Sequence, residues 1–85
     1  MNRTKICIVG ACGRLGKSII QESIENFEIV GAVEAANSPN IGKSLINLGI
    51  IESDIPITSS DDLSSAISKA DVTISATVPD SELVN

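Results

Sequence analysis

Three evenly spaced glycines, Gly10, Gly13 and Gly16, and an acid 18 positions beyond the last of them, Glu34, are the residues whose types and spacing point to chemistry. The glycines follow the apolar run Ile6-Cys7-Ile8-Val9 and precede an amphipathic segment. A strand, a tight turn and a helix start, in that order, aim bare backbone N–H groups at an anion. The first glycine permits the tight bend. The second lets a pyrophosphate approach the backbone, and the third lets the helix pack close to the strand. Cys12 stands where the commoner pattern has another glycine, so this turn carries a side chain. Glu34 falls where an acid accepts hydrogen bonds from the adenosine ribose hydroxyls of a dinucleotide. A carboxylate there repels a 2′-phosphate, and Ala35 adds no cation to offset it, so the pattern favours NAD over NADP.

Other patterns carry less. Gly42-Lys43-Ser44 resembles the tail of a P-loop, but Asn37 occupies the position of the required earlier glycine, and no apolar strand runs into it. Asp61, Asp62 and Asp71 match no calcium loop and read as capping or strand-end residues. The chain has no His, and Cys7 and Cys12, five apart, form neither a redox pair nor a metal pair. No metal ligands and no catalytic constellation are visible.

At 85 residues the chain is at most one domain, and its 42% hydrophobic content is that of a globular protein. Phe27 is its one aromatic residue, so the core is aliphatic and base-stacking platforms are lacking. A net charge of −5 argues against nucleic acid as a partner. The charge is uneven, with Arg3, Lys5, Arg14 and Lys17 all preceding the first acid, Glu22, as a basic end wrapped around the glycine turn would require. No apolar run approaches membrane-spanning length, and no signal-type segment follows Met1–Lys5. Two free cysteines fit a reducing cytoplasm.

The elements that must position these residues follow from periodicity. A continuously apolar strand over Lys5–Val9 is that of a sheet covered on both faces. A helix over Arg14–Asn26 carries Leu15, Ile19, Ile20, Ile24 and Phe27 on one face. A strand over Glu28–Glu34 completes a βαβ unit, whose right-handed crossover makes the strands parallel. A loop follows at Ala35–Asn40, then a short helix over Ile41–Leu48. Ile55–Thr58 reads as a third strand that Pro56 places at an edge. Ser59 and Asp62 have capping-box spacing ahead of a helix burying Leu63, Ala66, Ile67 and Ala70. Asp71–Ala76 reads as a fourth strand, and Thr77–Asp80 turns toward a further helix over Ser81–Asn85. The expected fold is α/β: a Rossmann-like doubly wound parallel sheet of about four strands in the order 3-2-1-4, with the ligand at the strands' carboxyl ends. The fourth strand's outer edge is left open to self-association.

Three stretches resemble the family of dihydrodipicolinate (4-hydroxy-tetrahydrodipicolinate) reductases. Val9-Gly10-Ala11-Cys12-Gly13-Arg14-Leu15-Gly16-Lys17 is similar to its V-x-G-A-x-G-R-M-G-R start. Val30-Gly31-Ala32-Val33-Glu34 with Ser38-Pro39-Asn40-Ile41-Gly42-Lys43-Ser44 is similar to its G-A-V-[ED]-x-x-x-S-P-x-x-G-x-D. Ala70–Asp80 is similar to its A-D-V-x-I-D-F-T-x-P-E, with Ser75-Ala76 in place of Asp-Phe. The resemblance implies a reductase of lysine and diaminopimelate biosynthesis that passes a hydride from NADH or NADPH to a cyclic imine-type dicarboxylate. Its cofactor contacts map to Gly10, Ala11, Cys12, Gly13, Arg14, Leu15, Glu34 and Thr77. It also implies that residues 1–85 are the amino-terminal part of the cofactor domain. The family's G-T-T-G and His-His-x-x-K stretches and its substrate-binding, tetramer-forming domain would lie beyond Asn85, so the chain alone would be inactive. Two other readings share the fold: a piece of another G-x-x-G-x-x-G reductase, and a non-catalytic nucleotide-binding module. Arg14 and the Ser38–Lys43 loop speak against the other-reductase reading and for the dihydrodipicolinate reductase resemblance.

Overall fold

The structure, a computed structural model, describes residues 3–77. The four parallel strands are β1 (Thr4–Val9), β2 (Phe27–Glu34), β3 (Ile57–Ser59) and β4 (Val72–Ser75), in the order β3-β2-β1-β4. This is the Rossmann-like order expected from the sequence. Helix α1 (Arg14–Ser23) crosses from β1 to β2, and α2 (Leu63–Ser68) crosses from β3 to β4. β1 is central, and its Ile6, Cys7 and Ile8 are buried, as a strand covered on both faces requires. The core is aliphatic throughout: Ile8 and Ile20 meet Ile29, Ala32, Leu45, Ile50 and Ile57.

The pairing of β1 with β2 carries one irregularity. Ile6 lies opposite Ile29 but Cys7 lies opposite Gly31, so Val30 is an extra residue in β2. Beyond it the register runs to Val9 opposite Val33, which brings Glu34 level with the first glycine of the turn.

The segment expected to be helical over Ile41–Leu48 is instead a run of turns. Its backbone is used across the chain rather than along it. The Leu45 and Ile46 amides donate to the Ile55 and Ser53 carbonyls at 2.9 and 2.8 Å, and Ser44 bridges antiparallel to Pro56. Ser44 also takes the Asn47 amide on its hydroxyl at 3.2 Å, the local competition that disfavours serine inside helices. A single helical bond, from the Leu48 amide to Ser44 O at 3.1 Å, is formed. Leu45 and Ile50 still reach the core, and the Gln21 amide side chain anchors the Ile50 carbonyl at 3.0 Å.

Other expectations shift in detail. α1 ends at Ser23 rather than Asn26, and only its middle faces the sheet: Ile20 is fully buried, while Leu15, Ile24 and Phe27 are exposed. The third strand begins at Ile57, with Pro56 outside it, and lies at the sheet edge. Ser59 accepts the Asp61 amide at 3.0 Å, but Asp62 makes no reciprocal cap bond, because the chain enters α2 through a 3-10 turn at Ser60–Asp62. Leu63, Ala66 and Ala70 are half-buried, whereas Ile67 is 41% exposed, since α2 is too short to lay its whole apolar stripe on the sheet. β4 is the opposite edge, and Val72 on it is exposed. The turn and helix expected over Val78–Asn85 lie outside the described residues.

Candidate functional site

β1 ends at Val9, and the chain turns back at once because Gly10 adopts φ +86°. That conformation is costly for residues with a Cβ, and a Cβ on Gly10 would also sit 3.1 Å from the backbone of Ala76 and Thr77. The turn is pinned to the neighbouring strand: the Gly10 and Ala11 amides both donate to Val33 O, at 2.8 and 3.2 Å. Gly13 then precedes α1 in extended conformation, with no side chain capping the helix. Gly16 packs against the turn so closely that a Cβ there would collide with the Gly10 carbonyl. Gly13 is different, since a Cβ there would meet one protein atom, Gly10 O, at an ordinary 3.6 Å.

The helix that begins here has an open N-terminus. The Gly13 amide turns back to Gly10 O at 3.2 Å, and Lys17 is the first amide to close on the helix, donating to Gly13 O at 2.9 Å. The amides of Arg14, Leu15 and Gly16 donate to no acceptor among the described residues. The first turn carries no acid and instead holds Arg14 and Lys17. Two cations at the positive end of a helix dipole are unfavourable until an anion joins them.

Glu34, at the end of β2, reaches across to this turn, where its Oε2 accepts the Cys12 amide at 2.7 Å. A cavity of about 870 Å³ opens between the two. Of the residues singled out in the sequence, it brings together Gly10, Cys12, Gly13, Arg14, Glu34 and Thr77. Ala11 is fully buried in the core beneath the turn, and Leu15 is exposed but outside the cavity wall. Arg3 and Lys5 are not part of a basic end around the turn. They lie at the opening of β1, where Arg3 donates to Ile24 O at 2.9 Å and the Lys5 amide donates to Asp71 Oδ2 at 2.9 Å. Of the four basic residues that precede Glu22, Arg14 and Lys17 are the two beside the turn, in the first turn of α1.

Four further wall residues, Ala35, Ser38, Asn40 and Ala76, were not singled out as contacts. Ser38 and Asn40 arrive through the loop after β2, folded by its own bonds: the Ser38 amide to Ala35 O at 2.9 Å and the Asn40 amide to Ser38 Oγ at 3.2 Å. The serine beside proline was the available signal. At the carboxyl end of β4, Ser75 and Thr77 pair their hydroxyls at 3.2 Å. Both cysteines are free thiols. Burial raises the Cys7 pKa, and burial together with the nearby Glu34 carboxylate raises that of Cys12, with smaller opposing pulls from Asn40 and Lys17. Among the described residues, no group of His, Cys, Asp and Glu could hold a metal ion, and no helix is long and apolar enough to cross a membrane.

Residues 4–85 match the family described as dihydrodipicolinate reductase, N-terminus. The chain is 37% identical to 4-hydroxy-tetrahydrodipicolinate reductase 1 of Mesorhizobium japonicum, an alignment covering 92% of this chain and 29% of that protein. It is 35% identical to the 4-hydroxy-tetrahydrodipicolinate reductase of Methanococcus aeolicus, covering 88% of this chain and 30% of that protein. With that of Dechloromonas aromatica the identity is 31%, covering 100% and 32%. The chain thus spans about a third of the length of these curated relatives. With the glycine turn, the acid at the end of β2 and the sheet order all in place, the chain belongs to the dihydrodipicolinate reductase family and corresponds to its N-terminal part.

Proposed function

We propose that this chain supplies the cofactor-binding part of a 4-hydroxy-tetrahydrodipicolinate reductase in the cytoplasm. It would hold the adenosine diphosphate portion of NADH or NADPH. Hydride transfer to 4-hydroxy-tetrahydrodipicolinate would belong to the whole reductase, since no residue of this chain has a catalytic role in the reading.

The observation that carries the reading is the open N-terminus of α1. Its first three amides have no acceptor among the described residues, its first turn carries two cations, and Arg14 lines a cavity whose far wall holds a carboxylate. A diphosphate would take the amides beside Arg14, and the ribose hydroxyls would donate to Glu34. Ala11 and Leu15 would contribute through backbone and helix start, and Thr77 through its hydroxyl at the other lip. Gly13 supports the same reading, because no packing among the described residues requires a glycine there. A close-approaching ligand does require one.

Glu34 makes NADH the preferred cofactor, through repulsion of a 2′-phosphate by a carboxylate held in place by the Cys12 amide. The test is titration of the 85-residue chain with NADH and NADPH, reading the backbone amide shifts of Gly10–Gly16. Those amides are expected to move, more strongly with NADH. Glu34→Ala is expected to narrow the preference by about tenfold, the scale of one lost charge-assisted contact. Amides that stay still at millimolar cofactor would sink the reading.

A further inference from the structure

Thr77 belongs to the cavity wall, whereas Ser75, the last residue of β4, does not. The backbone that carries them is fixed by β1: Ser75 lies opposite Val9, and the Ala76 amide donates to Val9 O at 2.7 Å. Thr77 then stands against the glycine turn, since a Cβ on Gly10 would lie 3.1 Å from both its amide nitrogen and its Cγ2. With the methyl against Gly10, the Thr77 hydroxyl meets the Ser75 hydroxyl at 3.2 Å. Threonine carries two heavy atoms on Cβ, so one contact at the methyl and one at the hydroxyl together select a single χ1 well.

We propose that Ser75 is a positioning residue of the cofactor site, its hydroxyl holding Thr77 in the rotamer that offers Oγ1 to the dinucleotide, without itself touching the ligand. The proposal rests on the reading of this cavity as a dinucleotide site and adds a residue to it. A hydroxyl has one proton to donate and two lone pairs to accept with, and either atom of this pair can be the donor. When Ser75 donates, Thr77 keeps its own proton for a phosphate oxygen. When Thr77 donates, its lone pairs receive a ribose hydroxyl. Ser75 therefore holds Thr77 in one orientation while leaving it able to answer either kind of ligand group, which a partner that only accepts would not.

A double-mutant cycle in the 85-residue chain tests this, because coupling isolates the pair from other effects of each change. Ser75→Ala is expected to weaken NADH binding about threefold, the scale of one exposed hydrogen bond that water can partly replace. In a Thr77→Val background, which keeps the methyl and removes the hydroxyl, the same change is expected to have less than about a 1.5-fold effect. Ser75→Thr, which keeps the hydroxyl, is expected to retain the affinity. A cofactor-independent readout accompanies these: the three-bond couplings from the Thr77 methyl carbon to the backbone report one χ1 rotamer in the unaltered chain and an average in Ser75→Ala. Unchanged couplings overturn the proposal, as does an affinity loss of equal size in both backgrounds, which would make Ser75 a structural residue of the strand. If NADH moves the Gly10–Gly16 amides equally in the unaltered chain and in Ser75→Ala, the dinucleotide reading stands and the role of Ser75 falls. If the couplings change in a chain that does not bind NADH, Ser75 remains the restraint on Thr77 and the dinucleotide reading falls instead.

Discussion

Gly13 and Gly16 are the same residue type three positions apart, yet they are glycine for different reasons. At Gly16 the protein itself forbids a side chain, since the Gly10 carbonyl occupies the space. At Gly13 the described residues leave room, and on the proposed reading the constraint comes from the bound dinucleotide. The two substitutions should therefore separate stability from binding. Gly16→Ala is expected to lower stability by about 2 kcal/mol or more through overpacking, seen as a lower urea midpoint. Gly13→Ala is expected to leave the midpoint within about 1 kcal/mol and to weaken NADH binding about tenfold. Equal effects on both readouts would remove the distinction. At this scale the turn and Glu34 were legible in the sequence, because both are fixed by spacing along a βαβ unit. Asn40 and Ser38 were not, because their arrival depends on the path of a loop whose bonds are to itself.

Helix α1 shows how an element's periodicity reports more than it buries. Its apolar stripe runs from Leu15 to Ile24, but Leu15 is 50% exposed and Ile24 is exposed too, while Ile20 is completely enclosed. Only the middle of a ten-residue helix rests on the sheet. Ile20→Ala is therefore expected to cost about 2–5 kcal/mol, whereas Leu15→Ala should cost well under about 1 kcal/mol. Chemical denaturation of both variants checks the contrast, and similar losses would contradict it. β1, β2 and α1 were legible because their apolar patterns run 6, 8 and 10 residues. The stretch Ile41–Leu48 is a run of turns although its sequence suggests a helix, because three apolar residues at helical spacing suit a buried turn as well. Ser44 and the carbonyls of Ser53 and Ile55 decide between them, and those partners are distant in sequence. The face of α2 was overcounted for a related reason, since six residues give too little length to bury it.

The molecule as a whole is small and closes on one aliphatic core, so its stability draws on few elements. Cys7 is fully buried and Cys12 half-buried, and both have raised pKa values in the folded state. The unfolded chain ionises its cysteines at the ordinary thiol value, before the folded chain does. Stability is therefore full below that value and is lost as pH climbs toward the folded pKa. Thermal unfolding followed from neutral to alkaline pH is expected to show a falling Tm above pH about 8.5. Cys7→Ala should flatten the slope whatever it does to the Tm itself. A slope unchanged in that variant would assign the alkaline loss to other groups.

The extra residue at Val30 gives β2 a joint in its phase. Before it, Phe27–Ile29 keep step with the opening of β1. After it, Gly31–Val33 keep step with Cys7–Val9, one residue displaced. Side chains alternate faces along a strand, so a slip of one residue reverses every one of them. The closing half is locked by the Gly10 and Ala11 amides on Val33 O, and that lock decides which way Glu34 faces. The opening half carries no such duty. A lineage of this chain could gain or lose a residue ahead of Val30 and keep its carboxylate aimed at the turn. The same change after Val30 would leave a sheet that still closes, with Glu34 turned away from the cavity.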